Sequence, residues 1–218
     1  MKFTVVELCA GGGGQALGLE MAGFECVAAI EIEPQFCATL RLNRPSWRVI
    51  EGDIRSVCGR EFEGTDLLAA GVPCPPFSIA GKQLGSEDER DMFPAALRLI
   101  GEVRPSAVLI ENVPGLASRR FKSYRNRIIE SLARLGYQAG WRLLNASEFG
   151  VPQLRPRFLL VGLRDEYWSH FTWPQPGRKC KTVGESLRDF MGANGWPGVG
   201  GWAERATKIH SSPPELSV

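Results

Sequence analysis

Residues 71–78 read GVPCPPFS, so a single thiol, Cys74, stands between two prolines just after an apolar run. A free thiol titrates near ~8.5, and its thiolate is the nucleophilic form. Pro73 and Pro75 fix their own φ angles and restrict the residues before them, which sets the direction of the Cys74 side chain. Such stiffness suits a nucleophile that must meet a flat electrophile face-on. The other reading is a small buried hydrophobe in a proline turn. Two further stretches carry groups of matching chemistry. LIENVPGL (109–116) ends an apolar run with Glu111 and Asn112 ahead of a Pro-Gly turn. A carboxyl there can cap the chain or, if partly buried, hold a proton to donate. VPQLRPRF (151–158) supplies Gln153, Arg155 and Arg157 in alternation. At the start of a strand this period of two puts all three on one face. Arginine cannot serve as a base, so its role there is to hold an oxygen or a charge.

A second constellation points to a cofactor. ELCAGGGGQALGLE (7–20) inserts four glycines between an apolar run and a helical stretch. Glycine lets a backbone approach a ligand closely, and a helix N-terminus favours negative charge. The run is neither the spaced GxGxxG of dinucleotide sites nor a GxxxxGK[ST] phosphate loop, and a tight strand–helix turn would also explain it. Glu31 and Asp53 close the next two strand patterns, at the edge where doubly wound folds present a carboxylate to a ribose diol. Glycines and two acids on consecutive strand ends indicate an adenosine-containing cofactor.

The elements that must position these groups alternate. FTVVELC (3–9), ECVAAIEI (25–32), WRVIEGDI, TDLLAAGVP and SAVLIENV read as strands, with helices at QALGLEMAG, PQFCATLRLN, MFPAALRLIGEV and YRNRIIESLARLG. That alternation predicts an α/β fold, a Rossmann-like doubly wound, mostly parallel sheet with helices on both faces. YQAGWRLLNA and RPRFLLVGL are joined too closely for a crossover helix, so they form an antiparallel hairpin at the sheet edge. From Trp168 onward the texture is Trp, Pro and Gly, broken by one helical candidate, VGESLRDFM. The tail GWAERATKIHSSPPELSV is expected to be weakly structured. The expected domains are residues 1–166, carrying cofactor and catalysis, and an incomplete extension over 167–218.

Composition narrows the function. With 218 residues the chain can bury a sizeable core. Its net charge of +2 is too small to indicate nucleic-acid binding by bulk electrostatics. Its six cysteines form no CxxC pair and there are two histidines, so no metal site is expected. Without a charged leader or a long apolar stretch, the expectation is a reduced, cytoplasmic protein with no membrane partner. Five basic residues between Arg119 and Arg127 are either a phosphate-contact patch or a solvated helix face.

Taken together, the motifs resemble those of the cytosine-5 methyltransferases, in family order over roughly residues 3–164. ELCAGGGG is similar to the family's first motif, GVPCPPFS to its Pro-Cys motif, ENV to its glutamate motif and QLRPR to its Gln-x-Arg-x-Arg motif. The resemblance implies a class I methyltransferase fold and S-adenosylmethionine as methyl donor, with S-adenosylhomocysteine as product. Cys74 would add to carbon 6 of a cytosine while Glu111 hydrogen-bonds ring nitrogen 3. Arg157 would hold the base carbonyl, Arg155 and Gln153 would organise the site, and Asn112 would position the cysteine loop. Cys9, Ala10, Gly11, Gly13 and Gly14 would line the cofactor cleft. Glu31 would take the ribose hydroxyls, Asp53 the adenine amino group, and Ile32 and Ile54 the adenine faces, with Pro73 and Met92 as further contacts.

The implied partner is double-stranded DNA with its cytosine swung out of the stack, which in a bacterial cell would place the protein at the nucleoid. Two departures stand out. Cys9 replaces the phenylalanine of the first motif. The family's recognition region and its closing Asn-x-Pro-Pro helix are not found before Val218. A split enzyme completed by a second subunit, a truncated product and an unusually small solo enzyme all fit. The expected consequence is an apolar docking surface on the first half of the sheet. A non-catalytic remnant and a transfer RNA cytosine-5 methyltransferase are the alternative functions, although no late Cys-Phe-Thr triplet supports the latter.

Overall fold

Continuous apolar runs become strands buried on both sides. Val5 and Val6, Ala28 through Ile30, and Leu68 through Ala70 are fully inaccessible, as expected of parallel strands covered on both faces. The computed structural model describes residues 2–73, 91–177 and 182–208, with side chains as far as residue 206. Cys74, Pro75, most of the polar stretch 81–91 that could serve as a lid, and residues 209–218 lie outside the described residues.

The elements run Thr4–Leu8 (β1), Gly14–Met21 (α1), Glu25–Glu31 (β2), Pro34–Asn43 (α2), Val49–Glu51 (β3), Leu67–Gly71 (β4), Phe93–Val103 (α3) and Ala107–Asn112 (β5). Lys122–Arg134 (α4), Tyr137–Asn145 (β6), Pro156–Arg164 (β7), Asp165–Trp168 (α5), Val183–Ala193 (α6) and Val199–Lys208 (α7) follow. One seven-stranded sheet has the order β3-β2-β1-β4-β5-β7-β6. Pairs among β1 to β5 are parallel and β7 runs antiparallel to β5. This is the doubly wound, mostly parallel sheet the alternation predicts, and its order reverses between β1 and β4, where such sheets bind ligands.

Pro34 opens α2 at its first turn, where a missing N–H costs nothing. In α3, Phe93, Ala96, Leu99, Ile100 and Val103 are buried, a spacing that puts one apolar stripe against the sheet. Phe3, Leu17, Met21 and Leu42, around β1, α1 and α2, stay exposed. Among the described residues no helix is long and apolar enough to cross a membrane.

Three expectations need correction. WRVIEGDI is a strand only at Val49–Glu51, because Asp53 caps a 3-10 turn, Ile54–Ser56, that ends it. Gln153 and Arg155 precede β7, which starts at Pro156, so the three residues do not share one strand face. The tail is not uniformly irregular either, since α7 occupies Val199–Lys208, with Ala203 fully buried.

The chain divides into two compact units, Met1–Arg142 with Phe158–Phe171, and Leu143–Arg157 with the residues from Thr172 onward. The first holds the parallel sheet. There Arg125 is committed to structure, donating to the carbonyls of Leu116 and Ser118 at 2.6 and 2.8 Å and lying over the Phe158 ring. Trp168 stacks on Phe171 at 5.6 Å, which is loop packing. The second unit combines the turn around residues 145–157 with the α6–α7 pair.

Candidate active site

Backbone geometry at the glycine run explains its composition. Cys9, Gly11 and Gly13 have φ of 54°, 54° and 87°, in the left-handed region that glycine enters freely and a side chain enters at a cost. At Gly13 a Cβ would lie 2.6 Å from Leu40 Cδ2, so glycine is required twice over. At Gly11, Gly12 and Gly14 a Cβ would meet nothing within 4 Å, leaving open space above the turn for a ligand to approach main chain. Gly13, the N-cap of helix α1, supplies no side-chain cap, and Glu7 engages the Ala16 backbone in the first turn; the positive end of the helix still suits an anionic group. Ala10 is buried and ties the turn to β2 through its N–H to the Ile30 carbonyl, 3.0 Å.

Glu31 fastens this turn from the end of β2. It is buried, and its Oε2 accepts the Gly11 N–H at 2.7 Å while Oε1 accepts the N–H groups of Ile32 and Glu33 at 2.9 Å each. A carboxylate has about four acceptor directions, so one remains for a hydroxyl donor. Asp53 caps its 3-10 turn by accepting the Arg55 N–H at 2.8 Å and the Arg55 guanidinium at 2.9 and 2.5 Å. Those bonds hold its carboxyl below the usual carboxylate range. Ile32 is exposed beside this rim and Ile54 is buried beneath it. The residues fit an adenosine cofactor with a zwitterionic tail: open glycine backbone, a helix start and two acids on adjacent strand ends.

The rim continues along β4 and β5. Gly71, at the exit leading to Cys74, pairs in register with Glu111. A Cβ at Gly71 would come within 3.3 Å of the Cys9 carbonyl oxygen, so this strand exit lies directly against the glycine turn. Asn112 is fully buried; its Nδ2 donates to the Val72 carbonyl at 3.4 Å and its Oδ1 accepts the Val113 N–H at 3.0 Å. Glu111 is half-buried and Pro73 exposed. Met92 precedes α3, accepting the Ala96 N–H at 2.9 Å, and Asp91 beside it accepts from the Tyr124 hydroxyl at 2.6 Å.

Gln153, Arg155 and Arg157 belong to the second unit. Asn145, overlooked in the sequence, holds the Arg155 backbone. Its Oδ1 accepts the N–H groups of Ser147 at 3.3 Å and Arg155 at 3.0 Å, and the Ala146 N–H donates to the Arg155 carbonyl at 3.1 Å. The signal was an N-x-x-E capping box, Asn145 with Glu148. Gln153 and Arg155 are exposed and Arg157 is half-buried.

A second overlooked group is Glu7 on β1. It is 1% exposed, it hydrogen-bonds the Ala16 backbone, and its Oε2 has no partner. Burial, reinforced by nearby Glu31, pushes its pKa from 4.5 to about 8. Burial and the same acids push the Cys9 thiol up to about 12, and burial with Glu7 does so for Cys26. The folded state therefore favours protonated Glu7 more than the unfolded chain does. Its contribution to stability is full below pH 4.5, declines above that, and is gone once pH passes about 8. The slope within that window is at most ~1.4 kcal/mol per pH unit. Urea midpoints at pH 5 and pH 8 should fall for the wild type and change much less for Glu7→Gln. Equal slopes would show that Glu7 does not titrate in this window.

Residues 3–212 match the sequence model of the family described as C-5 cytosine-specific DNA methylase. The chain is 58% identical over 210 residues to the Type II methyltransferase M.NgoMIV of Neisseria gonorrhoeae, covering 96% of this chain and 67% of that protein. It is 53% identical over 211 residues to the Type II methyltransferase M.NaeI of Lentzea aerocolonigenes, covering 95% of this chain and 51% of that protein. Among solved structures, a DNA modification methyltransferase encoded within an E. coli prophage aligns with a TM-score of 0.70 at 24% identity, over 85% of this chain and 54% of that one. That last likeness is one of fold. The chain thus spans between about half and two thirds of the length of these relatives.

Proposed function

We propose, on the premise that this chain belongs to the C-5 cytosine-specific DNA methylase family, that it carries the catalytic half of an enzyme methylating carbon 5 of cytosine in DNA. The observation that carries this reading is the pairing of Gly71 with Glu111. It puts the strand exit leading to the nucleophile beside the carboxyl, against the glycine turn. The donor, S-adenosylmethionine, supplies an electrophilic methyl group when bound. Gly11 and the start of α1 would cradle its amino-acid end, Glu31 its ribose and Asp53 its adenine amino group, with Ile32 and Ile54 at the ring.

The chain's own residues then act on the base. Cys74, as thiolate, forms a bond to carbon 6 of the cytosine. Glu111, in its protonated form, donates to ring nitrogen 3, so the ring accepts the electron pair and carbon 5 becomes nucleophilic. Once carbon 5 has taken the methyl group, with S-adenosylhomocysteine as the leaving group, loss of its proton to solvent returns the electrons, releases Cys74 as thiolate and gives the nitrogen 3 proton back to Glu111. Arg157 would hold the base carbonyl oxygen, with Arg155 and Gln153 ordering the surrounding backbone. Asn112 acts through Val72, fixing the entry to the cysteine segment. Base extrusion from a duplex is required, because a stacked neighbour covers the ring faces. A second subunit or further chain would supply the surface that reads the sequence around the cytosine.

The test uses a fluorine at carbon 5, which blocks the final proton loss. The natively expressed protein, given the methyl donor and a mixed-sequence duplex rich in 5-fluorocytosine, should form a denaturation-resistant adduct that maps to Cys74 by mass spectrometry. Cofactor binding with no adduct at any sequence context would overturn the activity and leave a binding-only remnant.

A further inference from the structure

We propose that Arg98 of α3 is a positioning residue that sets the shape of the Asp53 turn and thereby the site's selectivity for a 6-amino purine. The proposal rests on the reading of Asp53 as the adenine contact. Arg98 Nη2 donates to one loop at the carbonyls of Ile54 at 3.0 Å, Arg55 at 3.3 Å and Val57 at 3.1 Å, with one of its two N–H groups shared. Its Nη1 donates to Glu102 Oε1 at 2.5 Å, one helical turn on. Glu102 Oε2 in turn accepts the Gly59 N–H at 2.6 Å. Those bonds hold the Glu102 carboxyl below its ordinary range. A Cβ at Gly59 would lie 2.7 Å from Glu102 Cβ, so the loop meets the helix at a point only glycine fits. One guanidinium and one carboxylate therefore clamp residues 54–59 to α3.

The consequence reaches Asp53 through Arg55. Arg55 occupies three acceptor directions of the Asp53 carboxyl with its backbone and guanidinium N–H groups, which leaves about one of the four. Where that remaining direction points depends on where the Arg55 backbone sits, and Arg98 holds its carbonyl. The planar guanidinium holds the loop carbonyls through Nη2 and Glu102 through Nη1 at a fixed spacing; an ammonium concentrates its donors on one atom and an apolar chain has none. Releasing the clamp would let the turn pivot. Binding of the purine ring would weaken modestly, while preference for an amino over an oxo group at position 6 would collapse.

Calorimetric titration with S-adenosylhomocysteine and with its S-inosyl analogue, which carries oxygen at position 6, tests this. Wild-type protein should prefer the amino form, and Arg98→Met should reduce the ratio of the two Kd values by about tenfold, the scale of a misdirected charge-assisted hydrogen bond. Arg98→Lys keeps the charge but not the fork, and should give an intermediate ratio; it serves alone if the methionine variant does not fold. A general loosening would weaken both ligands alike, so an unchanged ratio in the variants overturns the proposal while leaving the cofactor assignment standing. Failure of the wild type to bind S-adenosylhomocysteine would overturn the cofactor assignment and the proposal with it.

Discussion

Replacing Cys74 by alanine is expected to eliminate methyl transfer, lowering kcat by at least ~10⁴-fold, while the Kd for S-adenosylmethionine changes less than about threefold, because ligand contacts of the glycine turn and its acids remain. On the proposed mechanism the loss is large because the Cys74 thiol supplies a covalent step for which Cys9, Cys26 and Cys37 are unsuited. Cys9 and Cys26 have thiols pushed up to about 12 by burial and neighbouring acids. Cys37 is buried, donates to the Glu31 carbonyl at 3.3 Å, and is likewise shifted upward by burial. None of these three offers a useful thiolate at neutral pH. Radiolabelled methyl transfer and calorimetry on the same preparation separate the two quantities. A drop in cofactor affinity comparable to the drop in kcat would place Cys74 in cofactor binding and remove the nucleophile from the mechanism.

Much of the sheet was legible because strands covered on both faces carry little but apolar residues. Val5-Val6, Ala28-Ala29-Ile30 and Leu68-Ala69-Ala70 announce themselves without a partner. Pro34 marks the start of α2 for an equally local reason. What failed was decided by contacts between distant or weakly patterned residues. Helix α7 opens with Val199-Gly200-Gly201, poor helix formers that packing against α6 overrides. The alternation of Gln153, Arg155 and Arg157 suggested a strand, but Asn145 captures the Arg155 N–H and the strand begins only at Pro156. Glu7 drew no attention inside FTVVELC, because its burial depends on helix α1, whose Ala16 backbone it meets. Arg98 sat unnoticed in a helix whose apolar stripe was plain, since its carbonyl partners lie on a loop more than forty residues earlier.

Glu31 shows how a residue picked for ligand chemistry can also hold up the cleft itself. Glu31→Ala should raise the Kd for S-adenosylhomocysteine by about 100-fold or more, and should also destabilise the ligand-free protein by ~2–4 kcal/mol. The second effect follows from three N–H groups, those of Gly11, Ile32 and Glu33, that lose their acceptor, the buried Glu31 carboxyl, at a partly buried site. Gly11 is held at φ 54°, so the turn loses the bond that keeps it in the left-handed region. Glu31→Gln sharpens the argument, because an amide has one acceptor oxygen where the carboxylate has two. Whichever way it is turned, its NH₂ faces either Gly11 N–H or the Ile32 and Glu33 pair, donor against donor. The glutamine variant should therefore unfold at lower denaturant than wild type before any ligand is added. A side chain whose only task was to receive ribose hydroxyls would lose affinity in both variants and leave the urea midpoint of the free protein where it was. That outcome would detach Glu31 from the architecture of the turn.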